Sequence, residues 1–174
     1  MKTKTIVIVL LIILIFAACA PTATIAPRKS DVALVFKYEA ECGLLPVNVL
    51  DTASNTLVYT PLGDTTSITI SLRLTDDELE SIYQKAIEIG FFDYPSKFVV
   101  PDDQVLGYRT PASSFELSIA DGTVQNSVSW TDDIITKPDY PKADQLRELM
   151  KLINKTIQSH PEVQQLPGPK VLCA

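Results

Sequence analysis

Large apolar side chains alternate with other residues in three stretches of the chain, and this pattern predicts strands of a sheet. The alternation is clearest over 32–38 and 68–74, where every second residue is large and apolar. A period of two is typical of a strand that buries one face and exposes the other. A shorter strand is predicted over 57–60, after the turn-prone residues 51–55. These stretches therefore predict three strands before the first helix.

A change to a spacing of three and four residues predicts two amphipathic helices. The first begins after Thr75, which can form a capping box with Glu78, and ends at Gly90. The second extends from residue 141 or 142 to residue 159, and Pro161 bars its continuation. The predicted apolar stripes are Leu79, Ile82, Tyr83, Ala86 and Ile87 in the first helix, and Leu146, Leu149, Met150, Ile153 and Ile157 in the second.

A long loop and a hairpin are predicted between the two helices. Proline, glycine and aspartate recur over 95–113, as expected for a loop. Apolar alternation on both sides of Asp121-Gly122 predicts a two-residue turn, in a register that places Ile119 opposite Val124. Asn126 is the polar exception on the buried face, where it lies near the sheet edge or satisfies a buried backbone group. The order of elements predicts an α+β fold, with two amphipathic helices on one face of a mostly antiparallel sheet.

The beginning of the chain has the pattern of an export signal. Lys2 and Lys4 precede an uncharged apolar run over 6–18, which ends in Ala17 and Ala18. As a helix this run is about 20 Å long. The hydrocarbon core of a bilayer is about 30 Å thick, so the run predicts a signal peptide rather than a transmembrane span.

The four residues Phe-Ala-Ala-Cys that end at Cys19 resemble the lipobox of bacterial lipoproteins. The resemblance implies cleavage before Cys19 and a diacylglycerol on its thiol, and acyl chains of this kind anchor a protein stably. The Pro/Ala/Thr-rich residues that follow predict an extended tether. We therefore expect a lipid-anchored domain on a bacterial membrane, facing outside the cytoplasm. The predicted parts are a signal peptide over 1–18, a tether over 19–30, a single domain over 31–159 and an irregular tail over 160–174.

Charge and cysteine content narrow the classes of partner. The formal net charge is −6, and removal of the signal peptide takes away two lysines and no acidic residue. An acidic chain argues against nucleic acid as a partner and against electrostatic adhesion to anionic lipid. With Cys19 acylated, Cys42 and Cys173 remain. They form either a disulfide, which an exported protein can keep, or two free thiols.

The sequence lacks the motifs of common catalytic sites. It contains no GxSxG, HExxH, P-loop, GxGxxG or CxxC pattern, and its single histidine, His160, directly precedes a proline. We therefore expect no cofactor, no metal and no enzymatic activity. The pairs Asp102-Asp103 and Asp132-Asp133 are expected to be solvated loop charges, although a carboxylate-dependent hydrolase would need them in one cleft.

Tyrosines near loops are the candidate interface residues. Tyr94, Tyr108 and Tyr140 lie in or beside predicted loops, where tyrosine can anchor a protein–protein interface. Packing of each ring against the rim of the sheet is the alternative. A possible protein partner is therefore expected in addition to the membrane contact through the lipid.

Several segments together resemble a known layout. They are Leu-Thr-Asp-Asp-Glu-Leu over 74–79, Gly-Phe-Phe over 90–92, the strand and turn over 115–122, and Leu-Arg-Glu-Leu over 146–149. In order and spacing they are similar to the emfourin-type metalloprotease inhibitors and to uncharacterised lipoprotein domains. The resemblance implies an α+β domain that works by binding, for example as a protease inhibitor. An envelope hydrolase and a structural spacer are the alternative functions.

Overall fold

A computed structural model describes residues 31–40, 47–61, 63–122 and 124–168. Six strands form one antiparallel sheet, in the order β4-β3-β2-β1-β5-β6. The strands are β1 Val32–Ala40, β2 Val47–Asp51, β3 Thr56–Tyr59, β4 Ile68–Ser71, β5 Val105–Asp121 and β6 Val124–Thr136. The helices are α1 Asp76–Glu88, α2 Lys142–Ser159 and the short α3 Pro161–Gln164. Cys19, Cys42 and Cys173 lie outside the described residues.

The predicted α+β fold is confirmed. One face of the sheet and the apolar stripes of α1 and α2 share a single core, to which β1 contributes Leu34 and Phe36. The predicted capping box of α1 is also present, because Thr75 accepts from the backbone N–H of Glu78 while the Glu78 carboxylate accepts from the Thr75 N–H. This cap satisfies donors that a helix N-terminus otherwise leaves open.

The predicted stripe of α2 is fully buried, whereas the stripe of α1 needs one correction. Ile87 is 49% exposed and does not face the core. Ile89, at the end of the helix, is buried in its place. Gly90 then adopts a φ of +69°, which favours glycine, and the chain turns so that Phe91 enters the core.

The predicted hairpin is present, but its register is shifted by two residues. The turn lies between Asp121 and Val124, which pair with each other, so Ile119 faces Asn126 instead of Val124. A shift of two keeps every side chain on its predicted face, because side chains alternate with a period of two. The Asn126 side chain satisfies buried backbone groups: its Nδ2 donates to the carbonyl oxygens of Phe91 and Tyr94, at 2.8 and 2.9 Å.

Two strand assignments from the sequence were wrong. The predicted loop over 95–113 contains strand: β5 begins at Val105 and continues to Asp121. Pro111 is tolerated because the ladder between β5 and β6 is irregular from Tyr108 to Ser113. Strand β2, which has no long alternation, was not predicted.

Segments beside the sheet complete the fold. Lys97 forms a parallel bridge with Ser129 of β6, supported by hydrogen bonds from Phe98 N to Ser129 O and from Ser129 N to Ser96 O. After α2 the chain is not irregular as predicted. Pro161 instead starts α3, since a proline at the first helical position loses no hydrogen bond.

Candidate functional site

The three candidate tyrosines have different environments. Tyr94 is buried, and its hydroxyl donates to the carbonyl oxygen of Lys142 at 2.9 Å. Burial, with a smaller contribution from Tyr140, raises the pKa of Tyr94 to about 12. Tyr140 is half-buried against the core. Tyr108 is 74% exposed, so it is the one of the three whose ring is available to a partner.

Tyr108 belongs to a two-stranded extension of the sheet, which we call the arm. It consists of residues 105–112 of β5 and 132–136 of β6. Strand β1 pairs with β5 from Asp121 back to Ser113. In the described part of the chain, the arm therefore extends past the last described residue of β1. Pairing of Tyr108 with Ile134 and of Gly107 with Ile135 holds its two strands together.

The arm carries three exposed apolar side chains, which we call together the apolar patch. It consists of Leu106, Tyr108 and Ile135. Leu106 is 60% exposed, and Ile135 is 49% exposed. Tyr108 pairs with Ile134 and Ile135 pairs with Gly107, so Tyr108 and Ile135 lie on opposite faces of the arm. Seven large apolar side chains are exposed among the described residues, and three of them lie in this short segment. Exposed apolar residues that occur singly are ordinary, but three in so short a segment favour an interaction site.

A charged cluster, which we call the brace, fixes the arm to α2. Asp132 is buried; its Oδ1 accepts from Arg147 Nη2 at 2.7 Å and lies 2.9 Å from Arg109 Nη2. Arg147 also donates to Asp132 through Nε and to Asp144 through Nη1. Both arginines donate to the carbonyl oxygen of Ile134, inside the arm. The brace thus connects β5, β6 and α2 at the base of the apolar patch.

Arg147 remains charged in this setting. Burial lowers the pKa of its guanidinium, but hydrogen bonds and charge interactions with Asp132 and Asp144 outweigh burial and leave the pKa above its ordinary value. Its guanidinium also lies 5.3 Å from the centre of the Trp130 ring. The expectation that Asp132 is a solvated loop charge was therefore wrong.

The arm and the start of the domain lie at opposite ends of the hairpin. The described chain enters β1 at Val32, which pairs with Asp121 beside the hairpin turn. Tyr108 lies 13 residues before Asp121 on the same strand. At about 3.3 Å per residue the separation along the strand is about 40 Å. The apolar patch is thus remote from the point where the chain enters the sheet.

The face of the sheet opposite the helices contains a shallow groove. The groove has a volume of about 460 Å³ and extends from Lys37 and Glu116 to Asp133 and Ile134 of the arm, with Val99 on its wall. Lys37 Nζ and Glu116 Oε1 form an ion pair at 3.2 Å across its floor. Short hydroxyl side chains also pair on this face: Ser114 with Thr131 at 3.2 Å inside the groove, and Ser118 with Ser127 at 2.7 Å beyond it. The groove therefore offers polar contacts next to the apolar patch.

The carboxylates do not assemble into a catalytic cleft. Asp102 and Asp103 lie in an exposed 3-10 turn before β5, whereas Asp132 is engaged by two arginines. Within residues 31–40, 47–61, 63–122 and 124–168, no group of three or more His, Cys, Asp or Glu is arranged to hold a metal ion. His160 Nε2 lies 3.1 Å from Glu78 Oε1 at the end of α2, without a hydrogen-bond geometry.

The sequence carried a signal for Asp132 that the loop assignment obscured. Val128, Trp130 and Asp132 continue one alternation, so a strand extended by two residues places the carboxylate on the buried face. A buried carboxylate needs a cationic partner, and Arg147 directly follows the buried Leu146 in α2. Leu106 and Ile135 had no such signal, because the residues over 105–113 were assigned to a loop and their pairing with β6 was not predicted.

The proposed function rests on the geometry of the described residues. Within the described part of the chain, no helix is long and apolar enough to cross a membrane. No protein-family model matches the chain, and no curated protein sequence matches it significantly.

Proposed function

We propose that this protein is a lipid-anchored binding module on the outer side of a bacterial membrane, and that it contacts a protein partner through the apolar patch. The observation that carries the proposal is the exposure of Leu106 and Tyr108, with Ile135 exposed on the opposite face, on an arm that the brace holds in place. Tyrosine is enriched among the few central residues that supply most of the binding energy of an interface. A positioned arm also loses little conformational entropy when it binds.

The position of the patch favours a protein partner over the anchoring membrane. If Cys19 carries the lipid, the tether joins the domain next to Asp121, about 40 Å along β5 from Tyr108 at about 3.3 Å per residue. The tether then does not hold the patch at the lipid surface. The acidic chain also gains little from anionic headgroups.

The groove extends the proposed contact surface. Asp133 and Ile134 belong to both the arm and the groove wall, so a partner seated on the patch reaches the Lys37–Glu116 ion pair and the serine hydroxyls. An apolar centre with a polar rim is the usual composition of a non-obligate interface. The resemblance to emfourin-type inhibitors suggests a secreted metalloprotease as one partner class.

The anchor predicts that acyl labelling depends on one cysteine. Cells that express the full chain are expected to incorporate a radiolabelled fatty acid into the wild-type protein and into a Cys42→Ser variant. A Cys19→Ser variant is expected to lose the label and to leave the membrane fraction, because the lipid supplies its attachment. Label that persists in Cys19→Ser would contradict the lipid anchor.

The apolar patch predicts site-specific cross-linking. A photo-reactive phenylalanine analogue at Tyr108 is expected to form a protein adduct of defined mass in intact cells, whereas the same analogue at Ile87 is expected to form none. Ile87 is the matched control, because it is an exposed apolar residue on α1, away from the arm. A second change, Leu106→Asp, is expected to reduce the Tyr108 adduct more than tenfold, as for loss of a central contact.

Three results would count against this interaction. They are equal adducts at Tyr108 and Ile87, adducts to lipid alone, and a Tyr108 adduct that Leu106→Asp leaves unchanged. The inhibitor version is tested with a panel of purified secreted metalloproteases: a submicromolar inhibition constant supports it, and absence of inhibition across the panel removes it.

A further inference from the structure

The outer edge of β6 is covered at Ser129 and open beyond it. The backbone N–H of Ser129 donates to the Ser96 carbonyl oxygen at 2.8 Å, and its own carbonyl oxygen accepts from the Phe98 N–H at 2.9 Å. The segment 96–98 thus pairs with β6 as a short parallel strand, in which Lys97 lies opposite Ser129. The backbone groups of Ser129 therefore point away from β5.

Thr131 presents the same backbone groups on this side of β6. Residues along an antiparallel pair of strands alternate between hydrogen-bonded and non-hydrogen-bonded positions, so the N–H and C=O of Thr131 point the same way as those of Ser129. The pairing of β6 with β5 is regular from Ser129 to Asp132, so this alternation holds. Within the part of the chain that the structure describes, neither group of Thr131 makes a backbone hydrogen bond on that side. An edge of this kind is a template for one more strand.

The segment that covers Ser129 does not continue along β6. Phe98 and Val100 are buried in the core, and Val105 begins β5, which lies on the other side of β6. The chain must therefore cross to that side soon after the bridge, which leaves Thr131 exposed.

The groove adjoins the open edge and supplies contacts for side chains. It is lined by Thr131 and by Val99, which is 62% exposed. Its volume of about 460 Å³ is within the range of about 300–1,000 Å³ that is usual for ligand-binding clefts. Lys97 and Asp133 also line it, and neither forms an ion pair among the described residues. These opposite charges suit a segment with an acidic side chain towards Lys97 and a basic one towards Asp133.

We propose that an extended segment of the protein partner adds to β6 as a further strand, with its backbone hydrogen-bonded to Thr131 and an aliphatic side chain packed on Val99. In strand addition of this kind, backbone hydrogen bonds supply affinity, and pockets for alternate side chains supply specificity. The inference rests on the proposed function, because it names the part of the partner that occupies the groove beside the apolar patch.

Photo-cross-linking at Val99 in intact cells is the first test. The full chain carries a photo-reactive phenylalanine analogue at Val99 or at Tyr108, and both positions are expected to form an adduct of the same mass. Mass spectrometry maps the Val99 adduct to a segment of the partner. A synthetic peptide with the sequence of that segment is then the probe for binding to the detergent-solubilised full chain.

The second test is Thr131→Pro, because proline here removes the outward N–H but no hydrogen bond to β5. We expect it to remove the Val99 adduct and to weaken peptide binding about tenfold, as for the loss of one backbone hydrogen bond. Two controls are expected to bind as the wild type does: Thr131→Ala, which keeps the N–H, and Gln125→Pro, which makes the same change near the other end of β6. Methylation of alternate amide nitrogens in the peptide is expected to weaken binding without any change to the protein.

The outcomes separate this inference from the proposed function. An adduct at Tyr108 without one at Val99 would end the strand addition and leave the proposed function standing, whereas no adduct at either position would end both. A Val99 adduct of twice the mass of the chain would overturn the inference by identifying a second copy as the occupant. Equal binding of the methylated and unmethylated peptides would overturn it as well, even where Thr131→Pro binds weakly because it fails to fold.

Discussion

Replacement of Arg147 by methionine is expected to lower the free energy of unfolding by about 3 kcal/mol, because it leaves the buried carboxylate of Asp132 with one weakly buried partner. For a domain of this size the melting temperature should fall by about 10 °C. Methionine keeps much of the aliphatic packing, so the loss reports the charged contacts. Thermal and urea unfolding, followed by circular dichroism, measure it.

The matched control for Arg147→Met is Lys37→Met. Lys37 pairs with Glu116 on the exposed face, and such surface ion pairs contribute less than about 1 kcal/mol. Equal losses in the two variants would show that the brace has no special role. We also expect Arg147→Met to accelerate amide exchange over 105–112 more than over 113–121, because the brace binds the arm to α2.

Replacement of Asn126 by aspartate is expected to destabilise the protein by about 3 kcal/mol at neutral pH, because two backbone carbonyls lose their donor and face a carboxylate. The side chain keeps its size, so packing changes little. The carbonyl oxygens disfavour the charged form, so the pKa of the new carboxyl group in the folded state lies above its value of about 3.9 in the unfolded chain.

The sign of the pH dependence follows from that raised pKa. The protonated carboxyl group can donate one hydrogen bond, so Asn126→Asp should regain part of its stability as the pH falls through the folded-state pKa, and lose it again as the pH rises. Asn126→Ala serves as the control, since it lacks the same donor but does not titrate. Parallel pH profiles of the two variants, measured by urea unfolding from pH 4 to pH 8 and each corrected by the wild-type profile, would contradict this account.

The helices could be predicted because their signals are local. The capping box of α1 lies within Thr75–Glu78, and the stripe of α2 repeats within a single segment, so no knowledge of distant contacts is required. Ile87 was misassigned because the end of α1 is set by the turn at Gly90. That turn brings Ile89 and Phe91 into the core instead.

The strands were harder to predict, since their existence depends on pairing with other segments of the chain. Strand β2 is stabilised by pairing with β1 and β3, which compensates for its weak alternation. The arm contains Gly107 and Pro111, both of which favour a loop, but pairing with the end of β6 overrides them. The hairpin register differed by two residues because Asp121-Gly122 and the turn actually formed are both compatible with the same alternation.

The candidate site was predictable to a smaller extent. Tyr108 was identified from its loop-like surroundings, whereas the same reasoning selected Tyr94, which is buried. Local composition does not distinguish a ring that packs beneath α2 from one that projects from the arm. Leu106, Tyr108 and Ile135 belong to one arm only because two distant segments pair. The brace forms only because α2 packs close to β6.

The parallel bridge at Lys97 covers part of the outer edge of β6. Strand β6 is the last strand of the sheet, and an open last strand can recruit an identical strand from a neighbouring molecule. Ser129, in the middle of β6, already exchanges both of its backbone hydrogen bonds with the segment 96–98. Proteins confined to a bilayer by a lipid meet one another far more often than they do free in solution. If the proposed lipid anchor holds the protein at a membrane, the 96–98 segment protects neighbouring copies from edge-to-edge aggregation at this part of β6, while the arm stays available.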